Sequence, residues 1–213
     1  TGFLTAGDGT PLRYVVHRPE AARGTVVIVQ GRSEYIEKYA ETITELADAG
    51  YAVMTFDLRG QGGSGRLTGD LRAGHVHRFS DFSDDLQMLV RTRVIENLPA
   101  PYVLMGHSMG GLIALSSVLI ERQPFSGLVL LAPFVGLRSR TLPEAAIRML
   151  ARVASAVGLA KRPVYAHPPP VPFERQRLTG DRARYERFAE FLRGQGLIDK
   201  TIALDTYAVE LGR

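Results

Sequence analysis

The chain is organised around ten residues, Val103-Leu104-Met105-Gly106-His107-Ser108-Met109-Gly110-Gly111-Leu112. The apolar run at 102–105 predicts a buried strand, and the apolar run at 112–120 predicts a helix. The Gly106-x-Ser108-x-Gly110 spacing between them predicts a very tight, strained turn that lifts the serine hydroxyl above the sheet. Glycine at both flanking positions removes Cβ atoms that would collide with the neighbouring strand or helix.

This spacing is typical of a nucleophile elbow, in which a serine attacks an acyl group. The N–H groups at the start of the following helix would stabilise negative charge beside the serine. A plain Gly/Ser turn is the competing interpretation of the five residues alone, because both residue types are common. The strand before the turn and the helix after it favour the elbow.

Length and composition limit the classes of protein that fit. The chain has 213 residues, 45% of them hydrophobic, which is enough for one domain with a sizeable core. No apolar run approaches the ~20 residues that span a bilayer, and no signal segment opens the sequence. The absence of cysteine excludes disulfides, thiolate metal sites and a cysteine nucleophile, and fits a reducing compartment. We therefore expect a globular cytoplasmic protein.

The net charge of +4 is unevenly distributed, since residues 138–193 hold twelve Lys/Arg and five Asp/Glu. A basic segment attracts phosphates or anionic surfaces, which predicts peripheral contact with an anionic membrane surface. An ordinary solvated, arginine-rich face explains the charge equally well. Nucleic acid is not an expected partner, because the sequence has no DNA- or RNA-binding motif and no basic cluster interleaved with aromatic residues.

Apolar strands alternate with helices through the first part of the chain. Residues 25–29, 52–56 and 127–132 read as buried strands, and residues 81–95 as an amphipathic helix. This alternation predicts an α/β fold with a mostly parallel sheet and helices on both faces. Functional residues of such sheets lie at the carboxyl ends of the strands. The residues that fall there are Gln30-Gly31-Arg32, Asp57, Ser108 and Pro133-Phe134.

The sequence changes character after Phe134. Amphipathic patterns at 145–157, 182–193 and 201–211 surround a proline-rich stretch at 163–172, and no further buried strand pattern appears. We therefore expect residues 1–134 to form the core and residues 135–213 to form a basic helical lid over the strand ends.

Several motifs together make this sequence similar to the α/β-hydrolases. Within them it resembles the branch of monoacylglycerol lipases and bacterial lysophospholipases, which is of the serine aminopeptidase S33 type. The resemblance covers the chain from the first hairpin to about Leu131 and is looser across the lid. The motifs are the elbow at 106–111, Asp57-Leu58-Arg59-Gly60-Gln61-Gly62-Gly63-Ser64-Gly65, Gly74-His75-Val76-x-Arg78-Phe79-x-Asp81-Phe82-x-x-Asp85-Leu86, and Gln30-Gly31-Arg32-Ser33-Glu34-Tyr35-x-Glu37-Lys38-Tyr39.

The resemblance implies the α/β-hydrolase fold and assigns roles to three residues. Ser108 is the implied catalytic nucleophile, which forms an acyl-enzyme with an ester substrate. The oxyanion is expected to be held by two backbone N–H groups, those of Met109 and Arg32. Relatives often carry His-Gly where this chain has Gln30-Gly31, which alters the surroundings of the Arg32 donor. No metal or organic cofactor is implied, since acyl transfer from serine needs none.

Other polar residues have structural interpretations. His107 is adjacent to the nucleophile in sequence and is poorly placed to act as its base. His75 and His77 are expected to pack in a loop, and Asp57 to belong to a structural loop signature of the family. His167 is the only histidine after Ser108 and is a weak candidate for the base, because irregular lid backbone fixes side chains poorly.

The triad order in this fold is Ser, Asp/Glu, His, and relatives carry the acid and base after two further strands beyond the lid. Neither strand appears in the sequence, and no histidine follows Asp199 or Asp205. We therefore expect the triad acid and base to be absent from this chain, which would be either incomplete or naturally short. The strand at 127–132 would then leave an unpaired sheet edge, which another part of the protein or a partner chain would cover.

Three functions remain open on the sequence. The first is a serine ester hydrolase that cleaves monoacyl lipids, either lysophospholipids or monoacylglycerols, through an acyl-enzyme on Ser108. The second keeps the fold with another acyl group, as in a general carboxylesterase or thioesterase. The third is a non-catalytic lipid-binding protein that kept the elbow without the triad acid and base.

Overall fold

The computed structural model describes residues 1–68, 74–120, 124–136, 143–158, 173–175 and 179–194. The chain divides into two compact units, Thr1–Lys161 and Arg162–Arg213. The described part of the second unit is a 3₁₀ turn at Phe173–Arg175 and a helix at Arg182–Gly194. The division into a core at 1–134 and a lid at 135–213 stays a prediction.

Six strands of the first unit form one sheet. Its spatial order is β1-β2-β4-β3-β5-β6, in which β2 pairs antiparallel with β1 and β4 and the remaining pairs are parallel. The predicted hairpin and the mostly parallel sheet are therefore confirmed. The strands are β1 (Gly2–Thr5), β2 (Pro11–His17), β3 (Thr25–Val29), β4 (Ala52–Phe56), β5 (Tyr102–His107) and β6 (Phe125–Leu131).

The described helices agree with the sequence patterns, with one difference. Only the first part of the predicted helix at 81–95 is α-helical, because its last turn and a half, Val90–Ile95, is a π-helix. A 3₁₀ turn at Ile36–Tyr39 leads into the first helix. The predicted helix at 201–211 lies outside the described residues. The helices are α1 (Ala40–Asp48), α2 (Ser80–Leu89), α3 (Met109–Ile120), α4 (Glu144–Ala156) and α5 (Arg182–Gly194).

Strand β3 has a core on each side, as its unbroken apolar sequence predicts. Val27 lies in the larger core cluster with Leu86 of α2 and Ile113 of α3. Val26 points to the opposite face, where it clusters with Ile43 of α1. Successive side chains of a strand alternate between faces, so helices on both faces bury β3 completely.

The parallel register brings the strand ends together. Val29 of β3 is opposite Gly106 of β5, and His107 of β5 is opposite Leu131 of β6. The loops after β3, β5 and β6 therefore start side by side at one edge of the sheet. In the described part of the sheet β6 is the outermost strand on its side, and Leu131 is exposed there.

Candidate functional site

Ser108 occupies the strained position that the sequence predicts. Its φ is 51°, in the left-handed region that side chains other than glycine rarely adopt. The Ser108 N–H donates to the carbonyl oxygen of Leu131 at 2.9 Å, and its carbonyl oxygen accepts from the N–H groups of Gly111 and Phe134 at 3.0 and 2.9 Å. Strain of this kind persists where surrounding bonds hold it, and here strand β6 and the segment after it supply them.

The elbow glycines make room for backbone rather than for side chains. A Cβ on Gly106 would lie 2.5 Å from the carbonyl oxygen of Gly110, and one on Gly110 would lie 2.1 Å from that of Val29. Helix α3 therefore starts in direct backbone contact with the end of β3. No L side chain fits at either position, which explains the spacing that the sequence displays.

Met109 is the first residue of α3, a helix of 12 residues. The first four N–H groups of a helix have no partner within the helix, and the helix dipole places partial positive charge there. Ser108 therefore stands next to a ready binding site for a negatively charged oxygen. The assignment of the Met109 N–H as an oxyanion donor stays a prediction.

The loop after β3 lies beside the elbow. A Cβ on Gly110 would lie 2.4 Å from the carbonyl oxygen of Gln30, and one on Gly31 would lie 3.2 Å from Nδ1 of His107. The residue that follows Gly31 is Arg32, the predicted second donor. The structure thus brings together the two segments that carry the predicted donors, whereas the role of the Arg32 N–H stays a prediction.

Gln30 is the first residue after β3, in the Gln30-Gly31 pair where the family resemblance implies His-Gly. Its side chain is fully buried, and its Nε2 donates to Oγ1 of Thr55 at 3.2 Å. Oγ1 of Thr55 donates in turn to the carbonyl oxygen of Ile28 at 3.0 Å. Oε1 of Gln30 has no hydrogen-bond partner among the described residues. Gln30 therefore anchors the loop to the end of the sheet.

A buried carboxylate that the sequence analysis did not single out, Glu34, joins these segments. Its Oε2 accepts from the Gly31 N–H at 2.6 Å and from the Tyr39 hydroxyl at 2.6 Å, and it lies 3.1 Å from Nδ1 of His107. Its Oε1 accepts from Nζ of Lys38. Burial alone raises the pKa of Glu34, but the bonds and charges of His107 and Lys38 outweigh it and lower that pKa to about 2. Glu34 is therefore ionised at neutral pH.

Local sequence spacing indicates only some of the contacts of Glu34. The Gly31-x-x-Glu34 and Glu34-x-x-x-Lys38 spacings suit a turn and a helical ion pair. The contact with His107 spans 73 positions and has no local signal.

Asp57 is fully buried and serves as a structural acceptor. Its carboxylate accepts from the N–H of Ile36 at 2.8 Å, from the N–H of Gly63 at 2.7 Å and from Nε of Arg13 at 2.6 Å. Gly62 has φ +49°, and a Cβ there would lie 2.3 Å from Cγ of Asp57. These contacts tie the glycine-rich loop to β2 and to the turn before α1, in agreement with the structural interpretation.

The other histidines and aspartates that the sequence analysis considered are placed as follows. His75 and His77 contact each other edge to face, with ring centroids 5.2 Å apart. The carbonyl oxygen of His75 would lie 3.1 Å from a Cβ on Gly60, so this segment packs on the glycine-rich loop. The other residues considered in the sequence lie outside the described residues: His167, Asp199 and Asp205.

Within the described ranges, no helix is both long enough and apolar enough to cross a membrane. In the same ranges, no group of His, Asp and Glu side chains has the arrangement of a metal site.

Comparison with known proteins gives a consistent picture. The family model described as "Serine aminopeptidase, S33" matches residues 20–209. Lysophospholipase L2 of Escherichia coli is 37% identical over 158 residues, which cover 72% of this chain and 45% of that protein. A monoacylglycerol lipase of Mycolicibacterium smegmatis is 29% identical over 151 residues, 70% of this chain and 50% of that protein. The chain thus spans about half the length of these curated relatives.

Among solved structures, a soluble variant of monoglyceride lipase from Saccharomyces cerevisiae in complex with a substrate analogue superposes with a TM-score of 0.65. It is 23% identical, and the match covers 89% of this chain and 60% of that one. The likeness shows that the sheet and helices described above form the α/β-hydrolase fold.

Proposed function

The chain belongs to the serine aminopeptidase S33 family of hydrolases, and on that premise we propose that it cleaves monoacyl lipid esters through an acyl-enzyme on Ser108. The observation that carries the proposal is the strained elbow, which holds Ser108 at φ 51° between the start of α3 and the loop after β3. Lysophospholipids and monoacylglycerols are the proposed substrates, since the relatives at 37% and 29% identity bear the corresponding names.

In the proposed reaction, Oγ of Ser108 attacks the ester carbonyl carbon, and the electron pair of the C=O bond moves to the oxygen. The N–H groups of Met109 and Arg32 stabilise this oxyanion. The electron pair then returns to re-form the C=O bond, the C–O bond to the alcohol breaks, and the alcohol leaves with the proton that came from Ser108. The acyl group stays on Ser108 until water releases it as the fatty acid.

The attack needs a base to accept the Ser108 proton. Within the described ranges, no side chain is hydrogen-bonded to the Ser108 hydroxyl, and His107 is bonded to Glu34 instead. The described ranges therefore supply the nucleophile of the proposed reaction and not its base.

The apolar face of α4 supports a lipid substrate. Met149 and Val153 of α4, and Val157 directly after it, are 66%, 54% and 65% exposed and recur at helical spacing. Exposed apolar residues in such a stripe mark a surface that binds something apolar. We propose that it contacts the acyl chain or the membrane surface that presents it, with the arginines of 138–193 attracting anionic headgroups.

A fluorophosphonate probe tests the nucleophile. We expect the protein to be labelled at Ser108 and the Ser108→Ala variant to remain unlabelled. Ser80→Ala, which alters an exposed serine at the start of α2, is the matched control and should label like the wild type. Absence of labelling in the wild type, or labelling that survives Ser108→Ala, would refute the proposal.

A substrate panel tests the acyl class. It compares lysophospholipid, monoacylglycerol, short p-nitrophenyl esters and aminoacyl amides with the same enzyme preparation. We expect the highest kcat/KM on the two monoacyl lipids. A preference for short esters or for aminoacyl amides would contradict the lipid assignment while leaving the role of Ser108 intact.

A further inference from the structure

Glu34 is 2% exposed, and an ionised carboxylate at such a position is costly unless several donors compensate for lost water. Three donors converge on its Oε2 and one on its Oε1. The acyl-transfer steps above make no use of this carboxylate. Its position between the two segments of the site therefore calls for another explanation.

The loop that carries Arg32 is held by side chains on both sides of that residue. Before it, the Gly31 N–H donates to Oε2 of Glu34 at 2.6 Å. After it, the N–H of Ser33 donates to Oε1 of Gln61, and Ser33 has the strained φ of 58°. With both flanking peptide groups fixed, the direction of the Arg32 N–H is fixed as well.

The same oxygen of Glu34 reaches the elbow through His107. An ionised carboxylate only accepts hydrogen bonds, so Nδ1 of His107 must carry the proton of their 3.1 Å contact. In the neutral ring this assigns the lone pair to Nε2. His107 is the last residue of β5 and directly precedes Ser108. Oε2 of Glu34 therefore links the loop after β3 to the turn that carries the nucleophile.

We propose that Glu34 is the positioning residue of the oxyanion site: it fixes the Arg32 loop through Gly31 and holds the His107 ring beside Ser108. The inference rests on the proposed function, since it gives the loop an oxyanion to bind. In this role Glu34 acts through Gly31 and His107 rather than on the substrate. It holds the N–H donors in place before the oxyanion forms. Donors that are already oriented stabilise the oxyanion most, because they do not have to reorganise during the reaction.

Lys38 balances the negative charge of Glu34. An uncompensated carboxylate bonded to the segments that border a developing oxyanion would repel it, because like charges interact strongly where water is excluded. Nζ of Lys38 bonds to Oε1, the oxygen that faces neither Gly31 nor His107. Lys38 therefore offsets the charge of Glu34 without competing for the oxygen that positions the loop.

The kinetic test replaces Glu34 by glutamine, which keeps the size of the side chain but removes the charge and one acceptor oxygen. We expect kcat, and the rate of phosphonate labelling at Ser108, to fall about 10-fold to 100-fold with KM little changed. That is less than the roughly 10²–10³ lost with an oxyanion-hole donor, because the donor is displaced rather than removed.

Asp85→Asn is the matched control. Asp85 is an equally buried carboxylate, 2% exposed, that accepts two hydrogen bonds from Arg59 at 2.7 and 2.5 Å. Its replacement should lower stability without lowering kcat. Gln61→Leu provides a second variant, since it removes the acceptor of the Ser33 N–H and should lower kcat in the same manner as Glu34→Gln.

A spectroscopic measurement tests the inference without any substrate. The ¹⁵N chemical shifts of His107 should report a protonated Nδ1 in the wild type and lose that signature in Glu34→Gln. The Gly31 amide should be protected from hydrogen exchange in the wild type and become unprotected in the variant. Ser108→Ala should leave both signals unchanged, which separates this inference from the assignment of the nucleophile.

Two results would overturn the inference. One is a Glu34→Gln variant with wild-type kcat and labelling rate in a protein whose activity depends on Ser108. The other is a wild type whose His107 is protonated at Nε2 alone or whose Gly31 amide exchanges freely, whatever its activity. A loss of labelling in Ser108→Ala together with normal Glu34→Gln kinetics would leave the proposed function standing and remove only the positioning role.

Discussion

Gly110→Ala is the most direct perturbation of the elbow. The added Cβ would lie 2.1 Å from the carbonyl oxygen of Val29 and 2.4 Å from that of Gln30. Both neighbours are backbone atoms at the end of β3, so no side chain can rotate away to relieve the overlap. The start of α3 would have to move by roughly 1 Å for the contact to reach an ordinary separation.

The expected cost follows from that overlap. Extra atoms in a packed core typically cost about 1–3 kcal/mol, and contact with backbone on a fully buried strand puts this site at the upper end. We expect Gly110→Ala to lower the free energy of unfolding by about 3 kcal/mol. Displacement by 1 Å of the helix start that carries Met109 should also lower the labelling rate of Ser108 by about 10².

Gly127→Ala in β6 is the matched control. Its Cβ would lie 3.7 Å from the nearest side-chain atom of Val103, which is an ordinary van der Waals contact. Because glycine inside a strand costs roughly 0.5–1 kcal/mol relative to alanine, this variant should be as stable as the wild type or slightly more stable. It should also label at the wild-type rate.

Urea unfolding followed by circular dichroism gives the free energies, and the phosphonate labelling rate gives the effect on the site. Both are measured on the two variants and the wild type under identical conditions. If Gly110→Ala matches Gly127→Ala in both stability and labelling rate, α3 does not start against β3, and the geometry of the elbow given above is wrong.

Two further predictions concern buried charges. The pKa of Glu34 falls from 4.5 to about 2 on folding, so its ionisation stabilises the protein fully above about pH 4.5 and not at all below about pH 2. Between these pH values, urea unfolding should show that the free energy of unfolding of the wild type falls by about 3 kcal/mol more than that of Glu34→Gln. The same pH dependence of stability in both proteins would contradict this prediction. Arg59→Met leaves the Asp85 carboxylate buried without its partner and should lower the free energy of unfolding by about 3–5 kcal/mol. Arg59→Met combined with Asp85→Leu should recover much of that stability. A double variant no more stable than Arg59→Met would show that the unpaired Asp85 carboxylate does not cause the destabilisation.

The turn at Ser108 was predictable because its sequence signal is local, although the backbone that a Cβ on Gly110 would meet belongs to the end of β3. Gly106 and Gly110 stand two positions from Ser108, and each is needed where a Cβ would meet backbone. Apolar runs such as 25–29 also predicted strands correctly, since burial on both faces demands an unbroken apolar sequence. The π-helical end at Val90–Ile95 was not predictable, because its apolar pattern differs little from that of an α-helix.

Local sequence was enough to predict the succession of strands and helices along the chain and the strained turn that presents Ser108, because glycine spacing and apolar periodicity act over a few residues. The side-chain contacts that hold the site together follow instead from how the strands pair in the folded protein. The parallel register of β3 and β5 sets Gly31 beside His107, and Glu34 bonds to both across 3 and 73 positions. A contact of that kind has no periodic signal, since it arises where the loop after β3 meets the end of β5 at the same end of the sheet.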